Sequence, residues 1–368
     1  MLVPKPRKPV HDIPFERNEN PSESQTEAAD LSVCGLVPLL AAETRTHRHV
    51  GYKNSVSRFH MLTMSKCNEL SNELQERTYK PQKGEKHEVF EPKYRITVSS
   101  KYRDRVPQSS FVTNYFYPNV VPHLIENNCA CIKDRGVDMA REKFKEILRN
   151  ADMSDWCVAT DMTGYFASIR HDSIYGEVGC YIHGWADWFY HATIENASKP
   201  VGLDLGSEVY QLSATALPNR LDHILDDGGY VRYQDDLRYV GAKEKCQWML
   251  DMVQAEARRL GLTVSEKKTY IQPIKRPVRF LGFTFLRKPT GRVTMKRLPE
   301  KIRHERRKLR RMYKKGVPQG RIALHWQSAR ECIKKGTRGD LHKMDKFKKG
   351  LDRDAGNQET EQGTGAQE

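Results

Sequence analysis

Asp235 and Asp236 sit side by side at a bend between two apolar runs, Tyr230-Val-Arg-Tyr233 and Leu237-Arg-Tyr-Val240. An aspartate in a turn is ordinary. Here, however, strands on both sides would hold the turn against a core. Two like charges about 4 Å apart there repel by about 4 kcal/mol at an effective dielectric near 20, and a bound cation would remove that penalty. A third acid, Asp161, closes the run Trp156-Cys-Val-Ala-Thr160 just before Gly164-Tyr165-Phe166. If its strand lies beside the 235–236 bend, three carboxylates converge at one end of a sheet. Such hard oxygens suit Mg²⁺, which completes its octahedral shell with substrate phosphates. Two such ions about 3.5–4 Å apart would activate an attacking 3′-oxygen and neutralise a leaving pyrophosphate.

The elements that must position these acids follow from periodicity. Residues 156–162 read as a short strand, and 207–225 as a helix through Val209, Leu212, Ala216 and Leu221. Residues 230–240 read as strand, turn, strand. A helix follows over 243–260, with Met249, Val253, Ala257 and Leu260 on one face and Gly261 as its stop. A last strand ends near Pro273. This β-α-β-β-α-β order is the split βαβ arrangement, so the fold class is α+β. Upstream, 66–74 reads as a helix and 89–98 as a hairpin turning at Glu91-Pro92-Lys93.

The charge is placed unevenly. The whole chain carries +15, and residues 287–350 alone hold 23 Lys/Arg against 5 Asp/Glu. That module reads as helices: Pro299 at a first turn, an apolar stripe of Ile302, Leu309 and Tyr313, and a stop at Gly316. A second helix starts near Gln319, with Ile322, Trp326, Ala329 and Ile333 on one face and a stop at Gly336. Such clusters serve polyanions, because each phosphate contact releases counterions; a solvated helix face is the plainer alternative. The eight cysteines include no C-x-x-C pair, and Cys129-Ala-Cys131 has no second pair to complete a zinc site. No apolar run approaches the roughly 20 residues of a membrane helix. Residues 1–48, apart from the patch at 36–42, and 351–368 read as disordered. The sequence leads us to expect a protein of the cytoplasm.

Asp161-Met-Thr-Gly-Tyr-Phe166-Ala-Ser-Ile169 resembles the first palm motif of reverse transcriptases, and Tyr233-Gln-Asp-Asp236 their Y-x-D-D box. Between them, the segment from Gly202 to Gln211 resembles the template and nucleotide loop. Gly261-Leu-Thr-Val-Ser-Glu-Lys-Lys268-Thr269 is similar to the lysine-bearing segment, and Arg279-Phe-Leu-Gly-Phe283 to the primer grip. Glu91-Pro-Lys93-Tyr-Arg95 and Asp104-Arg105-Val106 resemble the basic fingers strands. The resemblance covers about residues 50–345 and is greatest to bacterial and prophage enzymes, including group II intron-like and diversity-generating retroelement types. Leu205 is aliphatic where many processive relatives have Gln, as in the error-prone retroelement group. Tyr210 departs from the small residue usual there, and the loop Cys131-Ile-Lys-Asp-Arg-Gly136 lacks the usual second glycine.

The resemblance implies a right-hand polymerase. Its expected parts are fingers at 49–150, a split-βαβ palm at 151–290 and a basic helical thumb at 291–350, between the disordered leader 1–48 and tail 351–368. It implies RNA-directed DNA synthesis with two Mg²⁺ ions, for which Mn²⁺ can substitute, at Asp161, Met162, Asp235 and Asp236. Lys268 would protonate the pyrophosphate, or is a plain surface lysine. Lys93 and Arg95 would clamp the triphosphate, or form an exposed strand face. Leu205, Gly206 and Gln211 would line the nucleotide and template side. Phe166 would exclude the ribose 2′-hydroxyl, or is core packing. Phe280, Leu281 and Gly282 would grip the primer, or are ordinary strand. Expected partners are an RNA template, a DNA or RNA primer and dNTPs, with a structured non-coding RNA or small accessory protein as further candidates. The settings implied are a mutagenic or other retroelement, a prophage, or antiviral defence. The alternatives are a maturase-like RNA-binding scaffold and an RNA-dependent RNA polymerase, which Phe166 opposes.

Overall fold

Nine strands form three sheets in the computed structural model, which describes residues 31–90 and 94–364, with side chains to residue 355. In chain order they are β1 (Glu85–Val89), β2 (Arg95–Ser99), β3 (Trp156–Thr160), β4 (Tyr230–Tyr233), β5 (Asp236–Gly241), β6 (Tyr270–Pro273), β7 (Val278–Phe280), β8 (Phe283–Arg287) and β9 (Val293–Arg297). The central sheet has the order β4-β5-β3-β6, with every pair antiparallel. This is the order expected of a split βαβ unit, and the class is α+β as expected.

The chain divides into two compact units. Among the described residues, one comprises the chain up to Glu126 with Thr163–Ile224 and Glu256–Thr263; the other comprises Asn127–Met162, Leu225–Ala255 and the chain from Val264 onward. This division does not follow the sequence boundaries at 150 and 290. It takes 163–224 with the N-terminal unit and leaves the central sheet with the basic helices.

In the second unit the Val137–Asn150 helix lays Ala140, Phe144 and Leu148 against Cys157, Val231, Val240, Phe280 and Phe285. Phe144 meets the Phe280 and Phe285 rings edge-on at 5.2 and 5.1 Å. Burial of these large rings stabilises the sheet that carries the acids. The basic helices Pro299–Lys314, Gln319–Lys334 and Arg338–Thr364 enclose a smaller core of Leu309, Ile322, Ile333 and Met344. In the first unit, the Tyr102–Phe111 helix stacks Phe111 on Tyr115 at 5.6 Å. The Trp185 indole donates to the Leu74 carbonyl at 2.7 Å.

Four expectations need correction. Residues 43–47, read with the disordered leader, continue the apolar patch at 36–42 as one helix, Leu36–His47, in which Leu39 and Ala42 are fully buried. The tail is helical from Arg338 through Thr364, so 351–364, read as disordered, continue a helix. Asp104-Arg105-Val106 lies in a helix and not in a fingers strand. The 207–225 helix is two, Glu208–Ala216 and Asn219–Leu225, parted at Leu217-Pro218. A hairpin expected over 89–98 pairs β1 with β2 over 85–99, while the turn expected at Glu91-Pro92-Lys93 falls outside the described residues. Among the described residues no helix is long and apolar enough to cross a membrane.

Candidate active site

The register of the central sheet brings the acids together. β3 pairs with β5 so that Thr160 faces Leu237, and β4 meets β5 at Tyr233 and Asp236. Asp161, the next residue after β3, therefore lies at the same sheet end as Asp235 and Asp236. The two-residue bend between β4 and β5 holds Gln234 at φ 55°, a left-handed conformation that costs a non-glycine residue about 1 kcal/mol. That strain is held by the Arg232 side chain, which is buried and donates to the Gln234 carbonyl at 2.9 Å.

Each acid feels its neighbours. Burial, then the charges of Asp161 and Asp236, push the Asp235 carboxyl up to about 6. Burial also raises Asp236, against the Arg238 guanidinium, which lowers it. Asp161 accepts from Lys268 Nζ at 2.7 Å, and that bond raises the lysine, holding it charged. Asp236 Oδ1 accepts from Arg238 Nη1 at 2.6 Å. Met162 is buried beside Asp161 and bridges to Val264.

Among the described residues no three His, Cys, Asp or Glu side chains stand as a ready cation cage. The reason is visible in the pairs: Lys268 holds one carboxylate and Arg238 another. The donor set still fits a hard divalent ion, because its oxygens are carboxylates and Asp235 is raised by burial and then by the charges of Asp161 and Asp236, which a cation would offset.

Phe280 ends β7, and Leu281 and Gly282 form its turn into β8 at φ 43° and 83°. Two left-handed residues suit the twist of a two-residue hairpin, but Leu at the first position is strained. Arg141 Nη2 donates to the Leu281 carbonyl at 2.7 Å, and the Leu281 N–H donates to the Asp236 carboxylate. The turn is thus tied directly to the acid site. Arg141, Arg232 and Arg238 were missed by sequence reasoning. For Arg232 and Arg238 the signal available was an arginine in the middle of each apolar strand flanking the two acids; Arg141, on the Val137–Asn150 helix, gave none.

The remaining predicted residues belong to the N-terminal unit. Phe166 lies half-buried in the short Tyr165–Ser168 helix, edge-on to Tyr165 at 5.7 Å. Its carbonyl accepts from Leu203 N at 2.7 Å, which brings it to the 202–206 loop. Gln211 Nε2 is engaged by the Leu205 carbonyl at 3.0 Å. Gly206 bridges Ser99, and a Cβ on it would stand 2.2 Å from the Val98 carbonyl oxygen. The close approach of the β2 backbone therefore requires glycine at this position. Arg95 opens β2 and is exposed. Lys93 lies outside the described residues.

A family model described as reverse transcriptase (RNA-dependent DNA polymerase) matches residues 82–285, more than half of the 368 residues. A search of the curated proteins found no match. Among solved structures, the chain is similar to apo telomerase from Candida Tropicalis, at 10% sequence identity and a TM-score of 0.41. That likeness covers 60% of this chain and 52% of the telomerase chain, so this chain spans about half the length of that protein.

Proposed function

The chain belongs to the reverse transcriptase family of RNA-dependent DNA polymerases, and from that premise we propose that Asp161, Asp235 and Asp236 form its catalytic centre for extending a primer on an RNA template. The observation that carries this reading is the β3–β5 register, which gathers the three acids at one sheet end, where burial and then the neighbouring acids raise Asp235 to about 6. The acids, with Met162 beside them, would hold two Mg²⁺ ions. When bound, these ions supply charge neutralisation at the attacking and leaving oxygens. Lys268 is charged and its side chain is 61% exposed, so it is free to turn from Asp161 to a departing pyrophosphate and protonate it.

In this reading the Leu281–Gly282 turn carries the primer end, Phe166 selects deoxynucleotides, and Arg95 and Lys93 meet the triphosphate. Leu205 and Gln211 lie on the template side. Fingers at 49–150, palm at 151–290 and thumb at 291–350 remain the functional division we propose. The basic helices hold the nucleic acid through phosphate contacts. The motif set supports a bacterial or prophage retroelement or defence setting, with a structured RNA as the natural further partner. Primer extension on an RNA template, with dNTPs or rNTPs and with Mg²⁺ or EDTA, tests the proposal. Mg²⁺-dependent dNTP incorporation is the expected result. Incorporation of rNTPs alone would make the protein an RNA polymerase, and RNA binding without synthesis would make it a scaffold.

A further inference from the structure

Arg238 is 7% exposed, in the middle of a strand, and its guanidinium bonds to three segments at once. Nη1 donates to the Asp236 carboxylate and the Leu237 carbonyl, each at 2.6 Å, and reaches the Thr160 carbonyl at 3.4 Å. Nε and Nη2 both donate to the Arg279 carbonyl in β7, at 2.9 and 2.6 Å. The guanidinium lies 5.1 Å from the Phe280 ring centroid. No lysine could do this, since a point ammonium lacks the planar fork that reaches acceptors on opposite sides. Burying such a charge is costly unless its donors are satisfied, and here they converge on the residues around the acid site.

We propose that Arg238 is a positioning residue with two linked tasks: it supplies the positive charge at Asp236 while no divalent ion is bound, and it ties the acidic bend to the turn that carries the primer end. The proposal rests on the catalytic reading of the acids given above. Its first task follows from the direct pair with Asp236. The second follows from the paired bonds to Arg279, because Asp236 and the Leu281 N–H already meet across the same gap. A strand end resting on the β7–β8 turn would thus be registered against the acids by one side chain.

The test uses the full chain and a readout apart from synthesis: the melting temperature without and with Ca²⁺ alone, for the wild type, Arg238→Gln, Arg238→Lys and Arg238→Gln/Asp236→Asn. We expect Arg238→Gln to melt roughly 5–10 °C lower in EDTA and to recover most of that loss in Ca²⁺, a larger gain than the wild type shows. The double variant should lose the excess recovery, since the uncompensated carboxylate is gone. Arg238→Lys keeps the charge and loses the fork. It should show a wild-type response to Ca²⁺ but a KM for primer–template raised about tenfold, with the KM for dNTP unchanged. An Arg238→Gln response to Ca²⁺ equal to that of the wild type would overturn the first task. Should Arg238→Gln fail to fold, an unchanged primer–template KM in Arg238→Lys would overturn the second. If the wild type makes no DNA on RNA templates, the catalytic reading fails, while the Ca²⁺ responses still decide the charge role of Arg238.

Discussion

The acid end of the central sheet and the basic helices beyond it use charge in opposite ways. At the sheet end three charges have an assigned partner: Lys268 for Asp161, Arg238 for Asp236, and the Gln234 carbonyl for the buried Arg232. On the helices from Pro299 to Gly350 many cations face solvent. Arg303, Arg307 and Arg311, for example, run exposed down one face. Buried, paired charges make each member individually necessary, because removing one strands its partner. Exposed charges act through a summed field that tolerates single losses. In the proposed reading the contrast separates a part of the molecule that does chemistry from one that holds a polyanion.

The largest expected effect breaks the comparison at its buried end. Asp161→Asn should lower DNA synthesis by about three orders of magnitude or more with RNA binding kept, as read by steady-state primer extension alongside filter binding. A loss of binding equal to the loss of synthesis would place Asp161 in the binding field instead.

Next in size is Phe166→Ala, measured as the ratio of kcat/KM for dNTP over rNTP on an RNA template. We expect that ratio to fall by roughly 10- to 100-fold, about 1.4–3 kcal/mol of steric discrimination, with catalysis retained. An unchanged ratio in an active variant would assign the ring to packing against Tyr165.

The exposed end is sharpened by Arg303→Glu, Arg307→Glu, Arg311→Glu and Lys314→Glu combined. The plot of log Kd for a primer–template against log salt should flatten by roughly 2 to 4 units of slope, since each lost phosphate contact removes about 0.7 to 0.9. The Mg²⁺ dependence of synthesis should stay where it is.

The smallest effect concerns stability of the metal-free protein. A carboxyl raised to about 6 in the fold is more readily protonated there than in the unfolded chain, so ionising Asp235 weakens the fold as pH rises from about 4 to about 6. In EDTA, Asp235→Asn should therefore melt roughly 2–5 °C above the wild type at pH 8, with the gain vanishing below about pH 4. A gain that persisted at pH 4 would point to packing and not to charge.

Much of the frame was legible because its signals are local. Apolar runs ending at Asp161 and flanking Asp235 and Asp236 set the sheet order, and Gly261, Pro299 and Gly316 marked helix ends. What escaped depends on contacts far apart in the chain. Nothing near Arg238 in sequence says that its fork will meet a carbonyl 41 residues on, or that Arg141 will cap a turn 140 residues away. That Gly206 must leave room for the backbone of β2 could not be read locally, because that strand is over a hundred residues upstream. The apolar patch at 36–42 stood out in the sequence, but its extension to a helix through His47 did not, since only Leu39, Ala42 and a paired Glu43 are buried there.

The most direct measurement is extension of a DNA primer on an RNA template by the wild type and by Asp235→Asn, in Mg²⁺ and in EDTA, with circular dichroism and RNA binding recorded on the same preparations. The account predicts Mg²⁺-dependent extension by the wild type alone, from two proteins equally folded and equally able to bind RNA. Near-normal extension by Asp235→Asn, or extension by the wild type that persists in EDTA, would contradict it.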